Sequence, residues 1–294
     1  MTDAALLAID WGTTNRRIYV IDAAGIVLAR ERDDYGILTM AGGDFAGEVA
    51  AIRARHGDLP MVCIGMIGSN RGWAAAPYVA CPVGVPLLAR ALHWMEPERT
   101  AIMPGVSIIA NGRGDVMRGE ETQVLGAVAA RLAPGDSMFC QPGTHCKWVQ
   151  AADGTIVDFR TTMTGELFAL LRQHSLLAES IGGTVADGPA FRAGVRDAAE
   201  ARLLGDLFGV RASHLLALRP PEDAASYASG LLIGSDVREQ SLGAGEIVYL
   251  LANGDLAALY TTAIEVSGAR VAIIDSERAF VAGVMAIWSY AHAS

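Results

Sequence analysis

The first residues able to do chemistry stand at the end of an apolar run, in Ile9-Asp10-Trp11-Gly12-Thr13-Thr14-Asn15-Arg16. A buried strand that ends on a carboxylate, turns through Gly-Thr-Thr-Asn and re-enters an apolar run can aim backbone N–H groups and two hydroxyls at phosphate oxygens. Gly12, Thr13 and Thr14 are therefore candidate nucleotide-phosphate ligands. Asp10 is the candidate metal ligand, because Mg2+ keeps several waters and is held by one or two carboxylates. Alone, this segment could be an ordinary hairpin. A second turn, Pro142-Gly143-Thr144-His145, recurs at the matching place in the second half of the chain. Gly143, Thr144 and His145 could then hold other phosphates of the same nucleotide, and the pair is far more specific than either turn.

Glu120 and Glu121 open an apolar helical segment in Arg118-Gly119-Glu120-Glu121-Thr122-Gln123. The helix dipole alone accounts for acids in a first turn. The functional reading is that one of them takes a proton from a substrate hydroxyl. Adjacent helical residues point roughly 100° apart, so only one can do so. Glu121 is the first choice, Glu120 the second, and Asp115 competes. Gly68-Ser69-Asn70-Arg71-Gly72-Trp73 follows a buried run and reads as a binding loop. Ser69, Asn70 and Arg71, with Asn15 and Arg16, are candidate substrate ligands. Arg16, Arg17, Arg71, Arg113 and Arg118 all lie near expected strand ends. A guanidinium fork suits a carboxylate, and Arg16 and Arg71 are favoured for it.

Asn253 and Gly254 form a small-residue turn against which adenine could lie, although a simple helix cap explains it equally well. Cys140, His145 and Cys146 lack a C-x-x-C unit and do not read as a zinc site. The nucleophile elbow, the P-loop and the Rossmann glycine pattern are absent.

These residues need a scaffold, and the apolar pattern supplies one. Strands are expected at 5–10, 17–22, 25–30, 61–64 and 106–110, with helices at 44–55 and 120–131. Leu132-Ala133-Pro134-Gly135-Asp136 reads as a linker. Strands at 138–141, 147–150 and 156–159 follow, then helices at 165–177, 189–208 and 222–241. A strand at 247–252, a helix at 254–265, a strand at 270–274 and a helix at 276–291 close the chain. Strand, Gly-Thr turn, strand, turn, strand, then helices and strands thus occurs twice. This implies an α/β protein of two similar lobes, 1–132 and 133–294, with a nucleotide cleft between them.

The composition is consistent with this. The 294 residues are 52% hydrophobic and 19% charged, enough apolar material for two cores. A net charge of −9 argues against a nucleic-acid surface. No apolar run reaches membrane-spanning length, no basic leader is visible, and four scattered cysteines do not make a secreted framework. A cytoplasmic protein with small-molecule ligands is expected. A homodimer is allowed, but no motif specifies one.

Taken together, Asp10–Arg16, Gly65-Met66-Ile67-Gly68-Ser69, Arg118–Gln123, Pro142-Gly143-Thr144-His145-Cys146-Lys147-Trp148 and Thr164-Gly165-Glu166-Leu167-Phe168 resemble the 2-dehydro-3-deoxygalactonokinase family. The resemblance runs in order along nearly the whole chain. Cys146 departs from it, standing where a serine is expected. What it implies is a two-lobe ribonuclease H-like fold of the actin/hexokinase type, with mixed sheets flanked by helices. It also implies ATP, Mg2+, and phosphorylation of 2-dehydro-3-deoxy-D-galactonate on its 6-hydroxyl in galactonate breakdown. Lys147 joins the nucleotide ligands on this basis. A same-fold kinase for another sugar acid and a phosphate-ester or polyphosphate hydrolase are the alternatives.

Overall fold

The computed structural model describes residues 3–40, 42–110 and 112–293. Two compact units emerge, and they do not follow chain order. One comprises the chain up to Asp136, Ala151–Phe159 and the chain from Glu277 on; the other comprises Ser137–Gln150 and Arg160–Ser276.

In the first unit, β1 (Ala4–Trp11), β2 (Arg16–Asp22) and β3 (Val27–Asp33) form an antiparallel meander. Helix α1 (Phe45–His56) leads to β4 (Met61–Gly65), which lies parallel to β1. Asp44 caps α1 by accepting the Gly47 N–H at 2.8 Å. Next come β5 (Tyr78–Ala80), α2 (Val85–Arg90), β6 (His93–Glu96) and β7 (Thr100–Ile102). Strands β8 (Gly105–Ala110) and β9 (Arg113–Met117) complete a three-stranded sheet with β5, and α3 (Glu120–Ala129) follows. The main sheet has the order β3-β2-β1-β4-β7-β6. Its central strands β1 and β4 are apolar on both faces, as strands covered on two sides must be.

A second, five-stranded sheet repeats this plan. Strands β10 (Ser137–Gln141), β11 (Cys146–Ala152) and β12 (Thr155–Thr162) are consecutive neighbours. Helices α4 (Thr164–His174), α5 (Pro189–Asp197), α6 (Leu203–Leu215) and α7 (Ala224–Glu239) intervene before β13 (Ile247–Leu250). Helix α8 (Gly254–Val266) then leads to β14 (Arg270–Ile273). The sheet order β12-β11-β10-β13-β14 matches β3-β2-β1-β4-β7 position for position, so the repeat expected from the chain is a repeat of topology.

Two expectations need correction, and several short elements carry no expectation at all. The helix expected over 189–208 is two helices, α5 and α6, separated by a 3-10 turn with Ala201 left-handed at φ 58°. The short strands β5, β6, β7 and β9 and the helix α2 were not legible, because each is too brief for a periodic signal. The last helix, α9 (Ser276–His292), was assigned to the C-terminal lobe by chain order but groups with the first unit. Phe280 packs on Tyr19 with ring centroids 5.3 Å apart, and Trp288 on Trp94 at 5.8 Å. Backbone contact between α3 and α9 is so close that a Cβ on Gly126 would lie 1.9 Å from the Ala279 carbonyl oxygen.

Candidate active site

In the first unit, the ends of β1 and β4 and the start of α3 converge. Gly65 is left-handed at φ 92°, and a Cβ there would meet the Trp11 carbonyl at 3.0 Å and Asp10 Oδ1 at 3.7 Å. Gly119, also left-handed at φ 111°, would bring a Cβ to 3.4 Å from the Gly65 Cα. Both positions have a left-handed backbone that side chains rarely adopt, so glycine is needed at the end of β4 and at the start of α3.

Asp10 is about one-quarter exposed and accepts a hydrogen bond from Arg17 Nη1 at 3.1 Å. Burial raises its pKa; Arg17 pulls it down, and Glu120 pushes it up. A part-exposed carboxylate at a strand end beside the Gly-Thr-Thr turn fits the sparse protein ligation of Mg2+. Among the described residues, no group of three or more His, Cys, Asp or Glu side chains is placed to hold a metal by itself.

Glu121 does not fit the role first chosen for it. Its side chain has no exposure, and both its oxygens accept the Gly119 N–H, at 2.7 and 3.0 Å, while Thr122 Oγ1 donates at 3.2 Å. Burial, reinforced by Glu120, pushes its pKa up to about 7. A base must reach the proton it takes, and a fully buried carboxylate turned onto its own helix start does not. Glu120 is part-exposed and accepts the Arg118 N–H at 3.0 Å. Asp115 lies inside β9, opposite Ile108, and accepts the Val116 N–H.

The Gly12–Asn15 turn is closed by the Gly12 N–H on the Asn15 carbonyl at 2.9 Å. Its outer side is tied to the chain after β3, where Ile37 and Leu38 donate to Gly12 and Thr13 at 3.0 and 3.1 Å. Gly36 allows this approach, since a Cβ there would sit 2.3 Å from the Thr13 carbonyl oxygen. Thr13 and Thr14 remain exposed, and Asn15 is half-buried.

Arg16 is a correction. Its side chain is 2% exposed and is bonded to Asp33 at 2.6 and 3.2 Å and to Glu48 at 3.0 Å, and its guanidinium stacks 4.7 Å over the Trp11 ring. Three of its donors are engaged, so it braces β2 against β3 and α1 rather than facing a ligand. Asn70 and Arg71 fare differently. They line a cavity of about 680 Å³ with Leu38, Asp44, Phe45 and Trp73. Ser69 shapes that loop by accepting the Arg71 N–H at 3.3 Å.

In the second unit, the Gly143–His145 turn lies against the start of α4. A Cβ on Gly165 would fall 2.3 Å from the Gly143 carbonyl oxygen, and the Glu166 N–H donates to Thr144 at 2.9 Å. Glu166 also holds His145 at 2.6 Å. The adjoining cavity, about 430 Å³, is bounded by Gly143, Thr164, Gly165, Phe168, Arg172, Gly182–Val185, Leu256, Leu259 and Tyr260. Its walls are mainly apolar, with one cation, Arg172, and one carboxylate, Asp255, a setting suited to a flat base.

Beneath the cavity, Asp236 accepts from Trp148 Nε1 at 2.8 Å, Thr164 Oγ1 at 2.8 Å and Tyr260 OH at 2.7 Å. Lys147 is 5% exposed inside β11, which takes it out of the solvent-facing phosphate set. Asn253 and Gly254 do not line this cavity but directly precede its α8 lining residues, Asp255, Leu256, Leu259 and Tyr260. Cys140 and Cys146 are buried with sulfurs 3.7 Å apart, and burial raises both pKa values, which holds them as thiols.

Phe168 enters the sequence reading only as the last residue of the Thr164–Phe168 motif, with no role, and Arg172 and the Gly182–Val185 loop are not singled out there; their one local signal, Gly182-Gly183, is too common to mark a site.

The family model of 2-keto-3-deoxy-galactonokinase matches residues 10–287. The chain is 38% identical over 289 residues to the 2-dehydro-3-deoxygalactonokinase of Escherichia coli (strain K12), covering 97% of each. It is also 38% identical to a candidate enzyme of the same name from Rhizobium meliloti, covering 95% of each. A crystal structure of a candidate 2-dehydro-3-deoxygalactonokinase from Sinorhizobium meliloti superposes with a TM-score of 0.87 at 36% identity, over 98% of both chains.

Proposed function

The chain belongs to the 2-keto-3-deoxy-galactonokinase family, and from that membership we propose how its residues divide the work. The protein is a phosphotransferase that phosphorylates the keto-deoxy sugar acid with ATP. The observation that carries our assignment is the convergence of Asp10, Gly65, Gly119 and Glu120 at the ends of β1 and β4.

Glu120 is the residue we assign to orient the substrate's 6-hydroxyl and take its proton. Its partial exposure and its position beside Asp10 support this over Glu121. Asp10 would hold Mg2+, with Glu120 adding to the local negative charge. The metal, when bound, supplies neutralisation of charge on the transferred phosphoryl group. Thr13 and Thr14 offer hydroxyls to phosphate oxygens, and Gly143, Thr144 and His145 offer the second set. The cavity beside α4 is our choice for the adenosine moiety, with Phe168 as a ring to pack against the base and Arg172 near the rim. Arg71 is the fork we assign to the substrate carboxylate, and Asn70 to its hydroxyls. Positioning and charge neutralisation account for most of the acceleration, since phosphoryl transfer needs little covalent help.

No described helix is long and apolar enough to cross a membrane. We place the enzyme in the cytoplasm, where ATP and a soluble sugar acid are both available.

The test is a coupled assay of ADP release with the galactonate- and gluconate-derived keto-deoxy acids side by side. Release that depends on the acid, and is faster with the galactonate-derived isomer, supports the reading. Phosphate release without any acid would point to the hydrolase alternative instead.

A further inference from the structure

Helix α7 forms one wall of the second-unit cavity through Ser229, Leu232 and Ile233. Asp236 lies seven, four and three residues further on, so it shares their face of the helix. It is 4% exposed, at a position where an apolar side chain would cost less to bury. Its carboxyl is met instead by donors from three other elements. Oδ1 accepts from Trp148 Nε1 of β11 at 2.8 Å. Oδ2 accepts from Thr164 Oγ1 of α4 at 2.8 Å and from Tyr260 OH of α8 at 2.7 Å. Thr162 Oγ1 stands 3.0 Å from Thr164 Oγ1. The single hydroxyl hydrogen of Thr164 goes to Asp236, so Thr162 is the donor in that pair. These four bonds all run toward Asp236.

The donors belong to the elements that hold the Gly143–His145 turn and the cavity. Thr164 opens α4, and the next two residues contact the turn. Gly165 does so by its close approach to the Gly143 carbonyl, and Glu166 by donating its N–H to Thr144 at 2.9 Å. Trp148 stands near the start of β11, the strand that leaves the turn. Thr164 and Tyr260 both line the cavity. We propose that Asp236 is a positioning residue for ATP: it pins the strand that leaves the turn and the helix start packed against it, and fixes Tyr260 in the cavity wall. The inference rests on the reading of this turn and cavity as the nucleotide site. A buried network that converges on one carboxyl specifies one arrangement, and loss of that acceptor loosens turn and wall together.

The experiment measures binding of a fluorescent ATP analogue, KM for both substrates and Tm on the full-length enzyme. Asp236→Asn keeps the shape but replaces one acceptor oxygen by an NH2 group. Trp148 can only donate, so the amide oxygen must serve it and the NH2 faces Thr164 and Tyr260. Kd for the analogue and KM for ATP should rise about 10-fold or more, while KM for the keto acid stays near its wild-type value. Thr164→Val removes one donor and should shift ATP in the same direction; Thr164→Ser, which keeps the hydroxyl, should recover most of the loss. Should Asp236→Asn fail to fold, the two threonine variants decide. A lower Tm with unchanged ATP binding in the folded variants means a purely structural role and overturns the proposal. So does a loss shared equally by ATP and the keto acid, or a Thr164→Ser variant no better than Thr164→Val. Leu256→Trp, at a cavity residue outside this network, tests the site reading separately. Weakened ATP binding there with normal binding in Asp236→Asn overturns the role of Asp236 alone. Normal binding in Leu256→Trp overturns the site reading, and the proposal with it.

Discussion

Glu120 and Glu121 are chain neighbours of the same type, yet their surroundings give them different chemistry. Glu121 is sealed onto the Gly119 N–H with its pKa raised to about 7, while Glu120 keeps access to solvent. With Glu120 as the base, Glu120→Gln should lower kcat by roughly 10²- to 10⁴-fold with little change in either KM. Glu121→Gln should leave kcat within about an order of magnitude of wild type. Steady-state kinetics on the two variants separates them, and the reverse ranking would restore Glu121. Arg71 makes a parallel case. It lines the first-unit cavity, whereas Arg16 is held by Asp33 and Glu48. Arg71→Ala should raise KM for the keto acid by about 10- to 100-fold while KM for ATP stays put, the loss of one charge-assisted pair. An unchanged KM for the acid would remove Arg71 from the substrate set.

At the level of elements, the two Gly-Thr turns are held by backbone contacts that only glycine permits. The start of α4 meets the Gly143–His145 turn through Gly165, where a Cβ would collide with the Gly143 carbonyl at 2.3 Å. Neither partner is a flexible side chain, so one of them must move. Overpacking of this kind costs about 1–3 kcal/mol. Gly165→Ala should therefore raise KM for ATP by about 10-fold or more and leave KM for the sugar acid near its wild-type value. Fluorescent-nucleotide binding gives the same answer without turnover, and wild-type affinity would show that the α4 start does not support the turn. The turn itself was visible in the chain as Gly-Thr after an apolar run. Gly165 stands in the Thr164–Phe168 motif, but its contact with the turn is not legible there, because its partner lies more than twenty residues earlier.

For the molecule as a whole, the buried Glu121 carboxyl links stability to pH. Its folded pKa, about 7, lies above the ordinary 4.5 of a free carboxyl, so the native state binds more protons than the unfolded chain between those values. The sign follows: stability from this group is fully present below about pH 4.5 and is lost as pH rises through about 7. The span is worth roughly 3 kcal/mol at most, taking the shift at face value. Glu121→Gln, which cannot ionise, should flatten that part of the curve and raise Tm relative to wild type more at pH 8 than at pH 5. Thermal melts of the two proteins across that range check this. A constant Tm difference would mean that Glu121 does not change its charge over that range.

Much of the architecture was legible from the chain alone. The two Gly-Thr turns, the duplicated order of strands and helices and the acids at the α3 start are all local patterns. Local patterns are set by periodicity, turn chemistry and capping, which act over a few residues. The same holds for the motifs that carried the family resemblance, down to Asp10 and the Gly-Thr-Thr run. What residue type and spacing left open was where each side chain ends up. Arg16 and Arg71 are equally good carboxylate forks on paper, and only packing engages one with two acids and leaves the other lining a cavity. Glu120 and Glu121 differ only by rotation about a helix axis, and only the left-handed Gly119 decides which of them is buried. Chain order assigned α9 to the C-terminal half, whereas aromatic stacking on Tyr19 and Trp94 returns it to the first unit. Burial and neighbours are properties of contacts between residues distant in sequence, and those contacts exist only once the chain has folded.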